Sequence, residues 1–166
     1  SEELFCGLVH LELKKKIKNL LTIIIPRHVE RSMEIKNDLE KLNLIVHLDE
    51  PKKRISPKTD VYLVNSYGKT KSFYKYCKNV FLGGSIIKHG GQNPIEAAKL
   101  GCKIYHGPYV ENFKEIYNLL KSYKISEEIY SDKELSEKLA NDLKDSKNDQ
   151  NKITNSINDM GKKILD

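Results

Sequence analysis

Residues 83–96, Gly-Gly-Ser-Ile-Ile-Lys-His-Gly-Gly-Gln-Asn-Pro-Ile-Glu, constrain the fold more than any other stretch of this chain. Two glycine pairs bracket a loop. Before it lies Val80-Phe81-Leu82, an apolar run that reads as a buried strand. After it comes a helix start: Asn93 suits an N-cap, Pro94 the first helical position, and Glu96 completes a capping box. The order is strand, glycine loop, helix N-terminus. Such a loop lets backbone approach a guest closely and turns N–H groups toward an anion, a phosphate or a carboxylate.

The same alternation runs through most of the chain. Thr22-Ile23-Ile24-Ile25, Leu44-Ile45-Val46, Val61 to Val64, Val80 to Leu82 and Lys103 to His106 read as strands, with Glu128-Ile129-Tyr130 a last short one. Helical patterns cover residues 30–43, 69–77, Pro94 to Gly101 and Asn112 to Tyr123, with Gly101 as a C′ glycine. Continuous apolar strands alternating with helices predict an α/β fold, a Rossmann-like parallel sheet with helices on both faces. Ligands of such sheets sit beyond the carboxyl ends of the strands. Three loops leave those ends with useful chemistry: Pro26-Arg27-His28, Gly83 to Asn93, and Gly107-Pro108-Tyr109. From Ser131 the pattern changes to two Lys-, Asn- and Asp-rich helical segments near 132–146 and 150–165. The expected division is residues 1–130 as the sheet domain and 131–166 as a helical extension.

Charge and cysteines bound the partners. The net charge is +6, with the positive excess in residues 1–125. A basic body serves nucleotides, nucleic acid or an anionic membrane surface. No arginine-rich run or aromatic–basic interleaving supports nucleic acid. Cys6, Cys77 and Cys102 are odd in number and lack metal-ligand spacing, so they read as reduced core thiols, and no metal or cofactor is expected. No apolar run is long enough to span a bilayer, and the composition is that of a soluble chain. The first residue is Ser1, so the chain reads as cut from something longer.

Four motifs in order, Pro26-Arg27-His28, Gly83-Gly84-Ser85, Gly90-Gly91-Gln92-Asn93-Pro94-Ile95-Glu96 and Gly107-Pro108 with Asn112-Phe113, closely resemble the C-terminal domain of 3-deoxy-D-manno-octulosonic acid (Kdo) transferases. The resemblance covers roughly residues 5–123 and implies half of a GT-B glycosyltransferase. Such enzymes move Kdo from CMP-Kdo to a lipid A precursor in lipopolysaccharide synthesis, at the cytoplasmic face of the bacterial inner membrane. The C-terminal domain holds the nucleotide sugar. The N-terminal domain, absent here, holds the acceptor and the catalytic carboxylate, so no catalytic base is expected in this chain.

The resemblance implies roles for particular residues. Arg27 and His28 meet the donor's phosphate or sugar carboxylate. Gly83, Gly84, Ser85, Gly90, Gly91 and Asn93 cradle the CMP moiety, and Glu96 takes the ribose hydroxyls. Gly7-Leu8-Val9-His10 stands where the family has a Gly-Ser-Thr-His-like turn. Asn65 to Thr70 stands where the family favours Asp-Thr-x-Gly-Glu-Leu, so an acidic group is replaced by Lys69. From the residues alone, Glu96 is equally a cap, and His47 and His106 are strand histidines that pack or bond locally. Asp49-Glu50 and Glu127-Glu128 read as loop charges. Two other readings stay open: a GT-B enzyme using another nucleotide sugar, and a non-catalytic remnant or basic binding module of the same fold.

Overall fold

Most of the apolar β-branched runs form strands, with two shifted in register along the chain, and the pairings among the described strands are parallel. The computed structural model describes residues 1–50, 53–144 and 158. The elements run α1 (Glu2–Lys14), β1 (Thr22–Ile24), α2 (Ser32–Glu40), β2 (Val46–Leu48), β3 (Val61–Leu63), α3 (Thr70–Tyr74), β4 (Asn79–Leu82), α4 (Ile95–Lys99), β5 (Lys103–His106), α5 (Lys114–Ser122), β6 (Ser126–Glu128) and α6 (Asp132–Leu143). Short 3-10 turns at Val29–Arg31 and Glu111–Phe113 lead into α2 and α5. The expected segment at 150–165 lies outside the described residues, residue 158 excepted.

The strands form two three-stranded parallel sheets, ordered β1-β3-β2 and β4-β5-β6. An apolar run marks a strand but not its ladder partner, which lies far off in sequence. The chain divides accordingly into two compact units. One comprises Ser1, residues 3–68 and 140–166; the other comprises Glu2 and residues 69–139.

In the first unit, Ile24, Ile35, Leu39, Leu44, Val61 and Leu63 form the buried core. Gly7 to His10 lie inside α1 rather than in a turn. Ser1 caps the helix through Leu4 N–H, and Val9 and Leu13 bury one stripe. Gly7 admits close packing: a Cβ there would lie 2.9 Å from Leu39 Cδ2. His10 is fully buried, so it does not serve as an exposed turn histidine.

A polar network replaces that turn. Asp60 Oδ1 accepts from His10 Nε2 at 3.2 Å and from Lys14 Nζ at 2.5 Å, while Oδ2 accepts from Ile45 N at 2.8 Å. The acceptor on Nε2 fixes the imidazole tautomer, so Nδ1 accepts from the Thr22 hydroxyl at 2.7 Å. The bond from Ile45 N explains why β2 starts at Val46 and not at Leu44. That amide is spent on a side chain instead of the ladder, while Ile45 O accepts from Asp60 N and Val61 N.

In the second unit the core is Leu82, Ala97, Cys102, Ile104, Val110 and Tyr117. Cys102 Sγ donates to the carbonyls of Tyr74 and Cys77, and burial pushes the Cys77 thiol up to about 11. α4 ends as expected, with Gly101 at φ +83°. β6 starts two residues early, yet Ile129 N still donates to His106 O. Glu127 and Glu128 are therefore strand residues, not loop charges. Glu127 holds Lys138 and Lys103, and these keep its carboxyl below the usual range, Lys138 most strongly.

The network predicts acid sensitivity. Burial lowers the His10 pKa from 6.5; Asp60 works against this and the Lys14 charge works with it. The folded state keeps His10 neutral while the unfolded chain takes up a proton below 6.5. The contribution is therefore whole above that value and is lost as pH falls through it, at up to about 1.4 kcal/mol per pH unit. His47 and His106 are lowered too, chiefly by burial, and add in the same window. Urea unfolding between about pH 7.5 and 5.5 should show falling stability, and His10→Gln should flatten the slope without abolishing it.

Candidate functional site

In the first unit, β1 ends at Ile24, and Pro26 is buried just beyond it. Arg27 and His28 follow at the carboxyl end of the strand, both exposed. His28 Nδ1 lies 3.6 Å from Glu30 Oε1. Among the described residues the Arg27 guanidinium has no hydrogen-bond or ion-pair partner. A strand-end cation without an internal partner can bind an anion without first breaking a pair.

In the second unit, β4 runs directly into the first glycine pair. Gly84 takes φ +67°, a conformation that suits glycine. The four N–H groups that follow converge on one carboxylate, that of Glu2. Oε2 accepts from Gly84 at 2.5 Å. Oε1 accepts from Ser85 at 3.1 Å, Ile86 at 2.9 Å and Ile87 at 3.3 Å. An anion does occupy this loop, and it belongs to the chain itself. Sequence reasoning found the receptor and missed the occupant, because Glu2 lies 82 residues before Gly84.

Ser85 is fully buried. Its hydroxyl donates to Leu82 O at 2.7 Å and accepts from Gly107 N at 2.9 Å, and its carbonyl accepts from Tyr109 N at 2.9 Å. This side chain has no surface left for a ligand. The expectation that Ser85 touches CMP is corrected: Ser85 ties the loop after β4 to the loop after β5.

The second glycine pair is held to the first by Gly91 N donating to Gly84 O at 2.8 Å. Gly90 and Gly91 take φ of +77° and +81°, and a Cβ on Gly91 would lie 3.0 Å from Val110 Cγ1. Asn112 N donates to Gly90 O, and Tyr117 Oη to Gln92 O. His89 and Lys88 are exposed on the loop, with Lys88 Nζ 5.6 Å from the centre of the Tyr109 ring.

The helix start differs from expectation by one residue. Asn93 Oδ1 accepts from Ile95 N at 3.0 Å, an Asx turn, and the cap is Pro94, whose carbonyl accepts from Ala98 N. With Pro94 as cap the third helical position is Ala97, so Glu96 does not stand where a capping box needs its carboxylate. Glu96 is left exposed in the first turn of α4, without a hydrogen-bond or ion-pair partner among the described residues.

A further opening lies at the ends of β5 and β6, a cavity of about 310 Å³ lined by His106, Glu128 and one face of α5 (Lys114, Tyr117, Asn118 and Lys121). His106 Nδ1 donates to Gly107 O at 2.6 Å, its ring packs on Tyr117 at 4.4 Å, and burial lowers its pKa. His106 thus packs and bonds locally, as its strand position predicted. His47 stacks on Tyr62.

No family model matches the chain. It is 32% identical over 111 residues to the 3-deoxy-D-manno-octulosonic acid transferase of Haemophilus influenzae, covering 67% of this chain and 26% of that protein. It is 27% identical over 126 residues to a bifunctional glycosyltransferase/methyltransferase of Fusobacterium nucleatum, covering 75% of this chain and 20% of that protein. Among solved structures, the C-terminal CMP-Kdo binding domain of WaaA from Acinetobacter baumannii superposes with a TM-score of 0.74 at 24% identity, over 95% of this chain and 79% of that one. The chain resembles Kdo transferases. Its fold is that of the Acinetobacter baumannii domain, parallel sheets flanked by helices. The chain spans about a quarter of the length of the Kdo transferase it matches.

Replacing the bridge tests its role in this Kdo transferase-like fold. Ser85→Ala leaves the buried Gly107 N–H without its acceptor and frees Leu82 O. The expected cost is about 2 kcal/mol in urea unfolding. A loss below about 0.5 kcal/mol would show that the two loops hold each other by other contacts.

Proposed function

We propose that this chain is the donor-binding domain of a Kdo transferase, the part that holds CMP-Kdo for transfer to a lipid A precursor. The observation that carries the reading is the loop from Gly83 to Asn93, which leaves β4 with its first turn held by Glu2 and delivers the exposed Glu96 carboxylate at the start of α4. Similarity to the Haemophilus influenzae transferase supports the substrate class. On this reading, Glu96 accepts from the ribose hydroxyls. Gly83, Gly84, Gly90, Gly91 and Asn93 give backbone that a nucleotide can approach. Arg27 and His28 supply the cationic groups for a phosphate or a sugar carboxylate. Residues 1–130 carry nucleotide-sugar binding and residues 131–166 are its helical extension.

In the whole enzyme the reaction is a displacement at the anomeric carbon. A carboxylate from another domain takes the proton of the acceptor hydroxyl. That oxygen then forms the new glycosidic bond as the bond to CMP breaks. The leaving phosphate's charge is stabilised by a cation such as that of Arg27. The acceptor places the enzyme at the cytoplasmic face of the bacterial inner membrane, where the basic chain favours anionic lipid. No helix among the described residues is long and apolar enough to cross a membrane. A second reading, a GT-B enzyme using another nucleotide sugar, draws on the similarity to the Fusobacterium nucleatum bifunctional protein.

Nucleotide titration separates the two. The isolated chain should bind CMP weakly and in preference to UMP, with amide shifts at residues 83–96; a preference for UMP would favour the second reading. Glu96→Gln should weaken CMP binding several-fold, about 1 kcal/mol, with thermal stability unchanged, because no cap is lost. Equal CMP affinity in Glu96→Gln would remove Glu96 from the site.

Incubated with CMP-Kdo and a lipid A precursor, the chain alone should transfer no sugar, since positioning and proton transfer both need the acceptor domain. Turnover above the buffer blank would overturn the half-enzyme reading.

A further inference from the structure

Four successive backbone N–H groups converging on one point make a receptor for an anion. In the second unit that point is filled by Glu2, at 2.5 to 3.3 Å from Gly84, Ser85, Ile86 and Ile87. The sequence around the receptor fits this occupant. A Cβ on Gly83 would lie 2.6 Å from Glu2 Oε2, so any side chain there collides with the carboxylate. The first glycine of the pair makes room for Glu2, and the second takes the positive φ that turns its N–H toward it.

The held segment is wired onward. Gly84 O accepts from Gly91 N, and Ser85 O accepts from Tyr109 N. Gly90 O accepts from Asn112 N. The shape of the second glycine pair thus depends on where Gly84 stands, and Gly84 stands where Glu2 holds it.

We propose that Glu2 is a positioning residue, a built-in anion that holds Gly84–Ile87 and, through Gly84 and Gly91, presents the second glycine pair to the nucleotide. This rests on the donor-binding reading for the identity of the ligand. It also assigns the anion sites: the N–H groups of residues 84–87 serve the chain's own carboxylate, and the donor's charge is met elsewhere. Glutamine at position 2 keeps one acceptor oxygen and turns an NH2 toward the remaining donors, so it holds the loop in part.

The test uses the isotope-labelled chain, its Glu2→Ala and Glu2→Gln variants, CMP, and sodium formate against sodium chloride at equal ionic strength. Glu2→Ala should displace the amide resonances of Gly84, Ser85, Ile86, Ile87 and Gly91 and weaken CMP binding roughly ten-fold. Formate, a free carboxylate, should refill the vacated receptor and restore both; chloride should restore neither. Formate should leave the parent chain unchanged, and Glu2→Gln should fall between the two. Amides that stay in place in Glu2→Ala would overturn the proposal, as would CMP affinity that is unchanged or lost without formate rescue. If Glu2→Ala does not fold, Glu2→Gln decides: an undisplaced Gly84 amide overturns the proposal. If the parent chain binds no CMP, the donor reading fails, while the amide shifts and formate refilling still test the hold of Glu2 on the loop.

Discussion

Backbone N–H groups that leave a strand must find an acceptor, and the loop after β4 has four of them in a row. The Glu2 carboxylate satisfies all four. Without it, a segment with two glycines and few side-chain anchors would keep many conformations open. Ser85 adds the second fixed point by joining Leu82 O to Gly107 N from a fully buried position. Between them these two side chains set the loop from Gly83 to Gly91, and the helix start that follows inherits its place.

The helix start shows how a one-residue shift changes a side chain's task. With Asn93 as cap, Glu96 would have folded back on the backbone. The Asx turn from Asn93 to Ile95 goes with a cap at Pro94, which puts Glu96 one position short of the capping-box site and leaves it facing outward. The cap and ligand roles of Glu96 were rivals on the sequence. The geometry leaves Glu96 exposed and without the capping bond.

Much of this was legible in the sequence because it is local. Thr22 to Ile24, Val61 to Leu63 and Lys103 to His106 are strands where their apolar runs fall, and Gly101 closes α4 as its position predicts. What was hidden depends on partners distant in the chain. β2 starts late because Asp60 takes the amide of Ile45. The pairing that makes two sheets instead of one is equally non-local. Gly7-Leu8-Val9-His10 resembles a turn by residue type, yet it has the helical stripe of α1. Ser85 stands among the ligand groups only on the resemblance; its burial is visible only in three dimensions.

Asp60 divides its two oxygens among a backbone amide, a lysine and an imidazole, and every one of those partners is a donor. An asparagine there would turn its own NH2 toward one of them, and a smaller residue would strand the buried imidazole and the Ile45 amide, while the half-exposed Lys14 would turn to water. Positions 10 and 60, both buried, therefore form a single unit. A change at one calls for a change at the other, and its trace among relatives would be paired variation at two sites 50 residues apart in the chain.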